Sequence, residues 1–107
     1  MSTARITDPV TILTAQAANK SNGSSIDISH ATAVTFQCVP SGATTLDVNV
    51  YVSLDGTNWA LWINPASFSA STSTQIGYGT NQGYKYMRVD VAGYSAGSVT
   101  VQYSLVK

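Results

Sequence analysis

Apolar and polar residues alternate with a period of two along several short stretches of this chain. Over residues 46–54 the apolar set Leu46, Val48, Val50, Val52 and Leu54 interleaves with Asp47, Asn49, Tyr51 and Ser53. Successive strand side chains point to opposite faces, so this pattern predicts a strand buried on one side only. Val34, Phe36 and Cys38 alternate with Thr35 and Gln37, and Val99, Val101, Tyr103 and Leu105 alternate with Thr100, Gln102 and Ser104. Over 84–91, Met87, Val89 and Val91 oppose Tyr84, Tyr86, Arg88 and Asp90, so both faces carry large side chains. Weaker candidates span 11–17, 25–28, 58–63 and 73–78, each bounded by Gly, Pro, Asn or Ser. Turns are expected at Asn22-Gly23, Pro40-Ser41-Gly42, Asp55-Gly56-Thr57-Asn58, Asn64-Pro65, Gly79-Thr80-Asn81-Gln82-Gly83 and Gly93-Tyr94-Ser95-Ala96-Gly97.

About eight short strands with no helical pattern between them predict an all-β fold, an antiparallel β-sandwich or jelly roll. Ser and Thr supply roughly a quarter of the chain, which reinforces this, since their side chains compete with helix hydrogen bonding. Residues 1–10 show no periodicity and contain Asp8-Pro9, so an extended N-terminal arm is expected there, with the sandwich domain over 11–107.

Composition narrows the function. Charged residues make up 9% of the 107, against the ~25% usual in globular domains, Glu is absent, and the formal net charge is zero. Lys and Arg form no cluster, so electrostatic binding to nucleic acid is not expected. No apolar run suits a signal peptide or a membrane span, and the expected setting is a cytoplasm without a membrane anchor. With one Cys and one His the chain lacks a zinc set, so neither metal nor cofactor is expected. Cys38 falls on the apolar side of its strand and reads as a buried thiol; His30 lies in a connection between strands.

Catalytic patterns fail on context. Gly93-Tyr94-Ser95-Ala96-Gly97 matches G-x-S-x-G, but a nucleophile elbow needs a helix after the Ser and a later His, whereas a strand follows and His30 lies upstream. A Gly-bounded hairpin loop is the expected structure. Gly77, Gly79 and Gly83 are spaced one residue too widely for a dinucleotide fingerprint and read as a flexible loop. Asp47 and Asp90, the aspartates no turn explains, are expected as solvated strand residues. No enzyme activity is expected.

The aromatic residues admit two readings. Trp and Tyr faces could stack on sugar rings, with Trp62, Tyr78, Tyr84 or Tyr94 as platforms. Alternatively Trp59 plugs one end of the sandwich and the tyrosines line a sheet face that another protein covers. The second is preferred, because interface cores are rich in Tyr and Trp and poor in charge. The contact residues it predicts are Arg5 in the arm and Tyr51, Tyr84, Tyr86 and Arg88.

Two segments carry a resemblance: Val50-Tyr51-Val52-Ser53-Leu54-Asp55-Gly56-Thr57-Asn58-Trp59, and Tyr84-Lys85-Tyr86-Met87-Arg88-Val89-Asp90-Val91. Together with Leu13-Thr14-Ala15-Gln16 and the Asn22 to Ser29 stretch, they resemble small bacteriophage virion β-sandwich proteins of the capsid decoration (cement), head-fibre and tail-appendage kinds. The S-x-D-G-T-x-W turn also has a physical rationale: Asp55 and Thr57 can bond the turn backbone, Gly56 supplies a positive φ, and Trp59 can fold back over the preceding strand. The resemblance implies a virion protein, assembled in the host cytoplasm, that bridges major capsid subunits and forms homo-oligomers, with trimers common in the family. A carbohydrate-binding module or a head or tail fibre appendage domain is the alternative.

Overall fold

The structure, a computed structural model, describes residues 5–21 and 23–107; residues 1–4 of the expected arm and Asn22 of the expected Asn22-Gly23 turn lie outside it. The described residues form β1 (Val10–Gln16), β2 (Ile26–Asp27), β3 (Ala33–Ser53), β4 (Ala60–Ser71), β5 (Gln75–Thr80) and β6 (Tyr86–Val106). All pair antiparallel in one six-stranded network, ordered β1-β6-β3-β4, with β2 beside β6 and β5 beside β3. The all-β antiparallel expectation therefore stands; where about eight strands of a sandwich or jelly roll were expected, the described residues form six strands in one sheet.

The difference lies in two segments read as turns. Pro40-Ser41-Gly42 and Gly93-Tyr94-Ser95-Ala96-Gly97 are bends inside β3 and β6, each of 21 residues. At about 3.3 Å per residue a straight strand of that length would span roughly 69 Å, yet the longest dimension of the molecule is 45 Å. Both strands must fold over. β3 carries extra residues between Ser41 and Thr45, and β6 carries extra residues between Ala96 and Ala92. These excursions cancel, so the register that runs from Ala33↔Val106 to Ser41↔Ser98 resumes unchanged from Asp47↔Ala92 to Ser53↔Tyr86.

Restored register keeps one face inward along the whole length. Val34, Phe36 and Cys38 before the bend, and Leu46, Val48, Val50 and Val52 after it, are all buried, as are Met87, Val89, Val91, Val99 and Val101 of β6. They form one core with Leu13, Ile28, Ala66 and Phe68. With one sheet and no helix among the described residues, the face is buried by folding onto itself, and each large apolar side chain enclosed this way contributes about 1.5–3 kcal/mol. At the fold, buried Thr44 donates its hydroxyl towards the carbonyls of Gly42 and Ser98, both at 3.2 Å.

Other expected loops also belong to strands. Asn64-Pro65 sits inside β4 at a register shift between Val48↔Ala66 and Val50↔Ile63. A bulge accommodates proline, which has no N–H for the ladder. There Asn64 Nδ2 donates to the carbonyls of Val48 at 2.8 Å and Ala66 at 3.0 Å. Gly77 and Gly79 are residues of β5 and not a flexible loop. A Cβ at Gly77 would come within 2.6 Å of Pro65 Cα, and one at Gly79 within 2.5 Å of the Trp62 ring, so the missing side chains let β5 close against β4. Gln75 completes that closure: its Oε1 accepts from Ser67 N at 3.0 Å and its Nε2 donates to Ser67 O at 2.8 Å.

Ahead of β1, Arg5 and Lys107 exchange main-chain hydrogen bonds at 3.0 and 2.8 Å, and Thr7 N donates to Leu105 O at 2.9 Å. Residues 5–7 thus lie along the end of β6.

Candidate interaction face

The sharp turn after β3 positions this site. Asp55 Oδ1 accepts from the backbone N–H groups of Thr57 at 2.8 Å and Asn58 at 2.9 Å, and from the Ser53 hydroxyl at 2.9 Å. Its Oδ2 accepts from Asn58 Nδ2 at 2.8 Å. The two backbone donors, from Asn58 and then Thr57, are the main reason the Asp55 carboxyl is held well below the usual aspartate range, with the side chains of Asn58 and Ser53 adding to them. Gly56, at φ 77°, lies against the Tyr86 ring, where a Cβ would stand 3.7 Å from two ring carbons. This turn delivers Trp59 onto the outer face of the sheet.

On that face the register sets Tyr51 opposite Arg88, Asn49 opposite Asp90 and Ser53 opposite Tyr86. Opposed residues of an antiparallel pair share a face. The Arg88 guanidinium carbon lies 4.8 Å from the Tyr51 ring centre and 5.0 Å from that of Trp59, which places the cation between two π faces. Its Nη2 is 3.2 Å from Asp90 Oδ2, and the two side chains are only 13% and 8% exposed. Burial strengthens cation–π attraction, to about 2 kcal/mol where water is excluded. Lys85 Nζ lies 5.5 Å from the Tyr86 ring centre, adding a second cation on an aromatic ring.

Of the expected contact residues, Tyr51, Tyr86 and Arg88 come together, and Trp59 joins them. Trp59 does not plug the core: the turn sends it outward, where the guanidinium offers it a partner. Trp62 packs against the core instead, edge-to-face with Tyr84 at 5.5 Å and 63°. Tyr84 is thereby separated from the Arg88 cluster, and Arg5 is paired at the far end of β6. Asp90 is buried beside Arg88 rather than solvated. Asp47 accepts the Ser67 hydroxyl at 2.6 Å. Asp27 is held below its usual range by the Ser29 hydroxyl and then by Ser29 N–H. His30 is exposed.

The other candidates for chemistry are structural. Ser95 lies in the bend of β6 with no helix after it, and the Tyr94 hydroxyl donates to Gly97 O at 3.0 Å. Burial pushes the Cys38 thiol up to about 12, leaving it without thiolate near neutrality. Among the described residues no three of His, Cys, Asp and Glu gather as metal ligands. Sequence reasoning missed Asn81, whose Nδ2 donates to the carbonyls of Ile28, Ala31 and Tyr84 and whose Oδ1 accepts from the N–H groups of Gly83 and Tyr84. Its only signal was an Asn between glycines, which reads as a turn and says nothing of the distant carbonyls.

Planar rings around a fixed guanidinium, with the charge balanced from within, have the composition of an interface hot spot. No protein-family model and no curated protein matches the chain. Its class is therefore set by architecture: an all-β protein built on one folded antiparallel sheet. Among solved structures it is similar to the SPBc2 prophage-derived protein YomS, with a TM-score of 0.72 over 100% of this chain and 97% of that one, at 16% identity. At that identity the likeness is one of fold.

Proposed function

We propose that this chain is a structural protein of a bacteriophage particle, and within that class a capsid decoration (cement) protein bridging major capsid subunits. The observation that carries the reading is the whole-length likeness in fold to a prophage-derived protein. Two features of the chain support it. Tyr51, Trp59 and Arg88 form an aromatic–cation patch on the outer face whose cation is balanced by Asp90, so covering it buries no net charge. The surface also has few charges to desolvate elsewhere, which suits a protein enclosed by neighbours, including further copies of itself as a homo-oligomer such as a trimer.

In this reading each copy makes modest contacts across a subunit boundary, and repetition over the shell sums them. It involves no nucleic acid, membrane or cofactor. The test is to image purified particles and to sediment the protein with empty capsids. Many copies on the shell, and capsid binding weakened by Trp59→Ala and Arg88→Ala, are expected. Absence from the particle would overturn the reading, and a few copies confined to a fibre or tail would replace it with an appendage role.

A further inference from the structure

The opposite half of the sheet carries a different outer face. Register sets Thr35 between Tyr78 and Ser104, and Gln37 between Ile76 and Gln102. These two rows of three cross β5, β3 and β6, and a groove of about 220 Å³ runs over all of them except Tyr78, which stands beside it across from Thr35, with Pro9 and Tyr103 at its margin. Three properties describe what it offers an occupant. Ile76 and Tyr78 are 66% and 73% exposed, so apolar and aromatic surface is on offer. None of the lining side chains carries a charge. Among the described residues, the Thr35 and Tyr78 hydroxyls and the Gln37 amide form no hydrogen bond within the protein, and Gln102 uses only an Nε2 donor, to Thr11 Oγ1 at 3.2 Å.

These properties constrain an occupant. An uncharged lining gives a phosphate, sialate or ammonium group no counter-charge, and such a group would lose its hydration without compensation. A purely apolar ligand would leave the Gln37 amide and the Thr35 hydroxyl covered and unpaired. The matching chemistry is a neutral molecule with C–H faces for Tyr78 and Ile76 and many hydroxyls for the amides. We infer that the groove over Thr35, Gln37, Ile76 and Gln102, flanked by Tyr78, binds a neutral saccharide. The stacking ring is Tyr78; Trp62, Tyr84 and Tyr94 are engaged within the fold and present no free platform.

The site is separate from the Arg88 face and does not depend on the capsid reading. The experiment is an array of neutral and sialylated oligosaccharides, followed by an NMR titration of the intact protein with the neutral oligosaccharide that gives the strongest signal. Amide shifts centred on residues 35, 37, 76, 78 and 102 are expected, together with a loss of affinity of about tenfold or more in Tyr78→Ala and in Gln37→Ala, equivalent to about 1.4 kcal/mol. Both positions are exposed, and an unchanged spectrum elsewhere shows that each variant is folded. No binding of neutral sugars at millimolar concentration would overturn the inference, as would preferred binding of the sialylated set or shifts lying outside the groove. Shifts at these residues that follow protein concentration without sugar would assign the face to a second copy and overturn it equally.

Discussion

At the scale of single residues, the Asp55 carboxylate acts beyond its own position, because it holds the turn that places Trp59 on Arg88. Its hydrogen bonds are made to the charged form, so its folded pKa is lowered from the ordinary value of 3.8. A depressed carboxylate contributes stability above its unfolded pKa and loses that contribution only as pH falls through the lower folded value. The Thr57 and Asn58 amide resonances are therefore expected to stay constant while pH passes through the normal aspartate range, and to move only below it. A midpoint near the ordinary value would show that the turn does not hold the carboxylate. This turn was legible in the sequence, since Asp-Gly flanked by Ser and Thr states its local bonding directly. The destination of Trp59 was not, because the partner that draws it outward, Arg88, lies on another strand.

At the scale of elements, alternation and turn signals located part of each of the six strands but not residues 66–71 of β4, which pair with β3, and glycine and proline were ambiguous about what happens between the segments. The same residues end a strand or bend it, and only the partner decides which. Pro40 remains opposite Val99, so the ladder continues into the bend. Two glycines there make different demands. Gly42 and Gly97 both adopt positive φ, at 72° and 77°, but a Cβ on Gly42 meets nothing within 4 Å whereas one on Gly97 strikes Thr44 and, at 2.9 Å, the Ala43 carbonyl. Gly42→Ala is expected to cost only the left-handed backbone penalty, about 1–2 kcal/mol. Gly97→Ala adds overpacking and is expected to cost about 1–3 kcal/mol more. Urea unfolding midpoints compare them, and equal losses would mean that Thr44 does not pin the two long strands together.

At the scale of the whole molecule, low charge shapes how the protein meets other surfaces. The formal net charge is zero, and the buried ion pair of Arg88 with Asp90 is closed within one strand. The proposed association with capsids through such a surface is expected to change little between low and moderate salt, because few exposed charges are available to be screened. A steep loss of co-sedimentation with added salt would place the contact on the scattered lysines instead. Charge content and strand periodicity were readable from the chain and bounded both the fold class and the possible functions. Closure of one sheet around a single core was not, because it depends on excursions in β3 and β6 that cancel only when both strands are seen together. The pairing of residues 5–7 with the end of β6 has a practical consequence of its own. Arg5 and Lys107 are antiparallel neighbours, joined through their main chains. A peptide fused ahead of one and a peptide fused behind the other would emerge from a single corner of the body, so two cargoes could be displayed side by side on one copy.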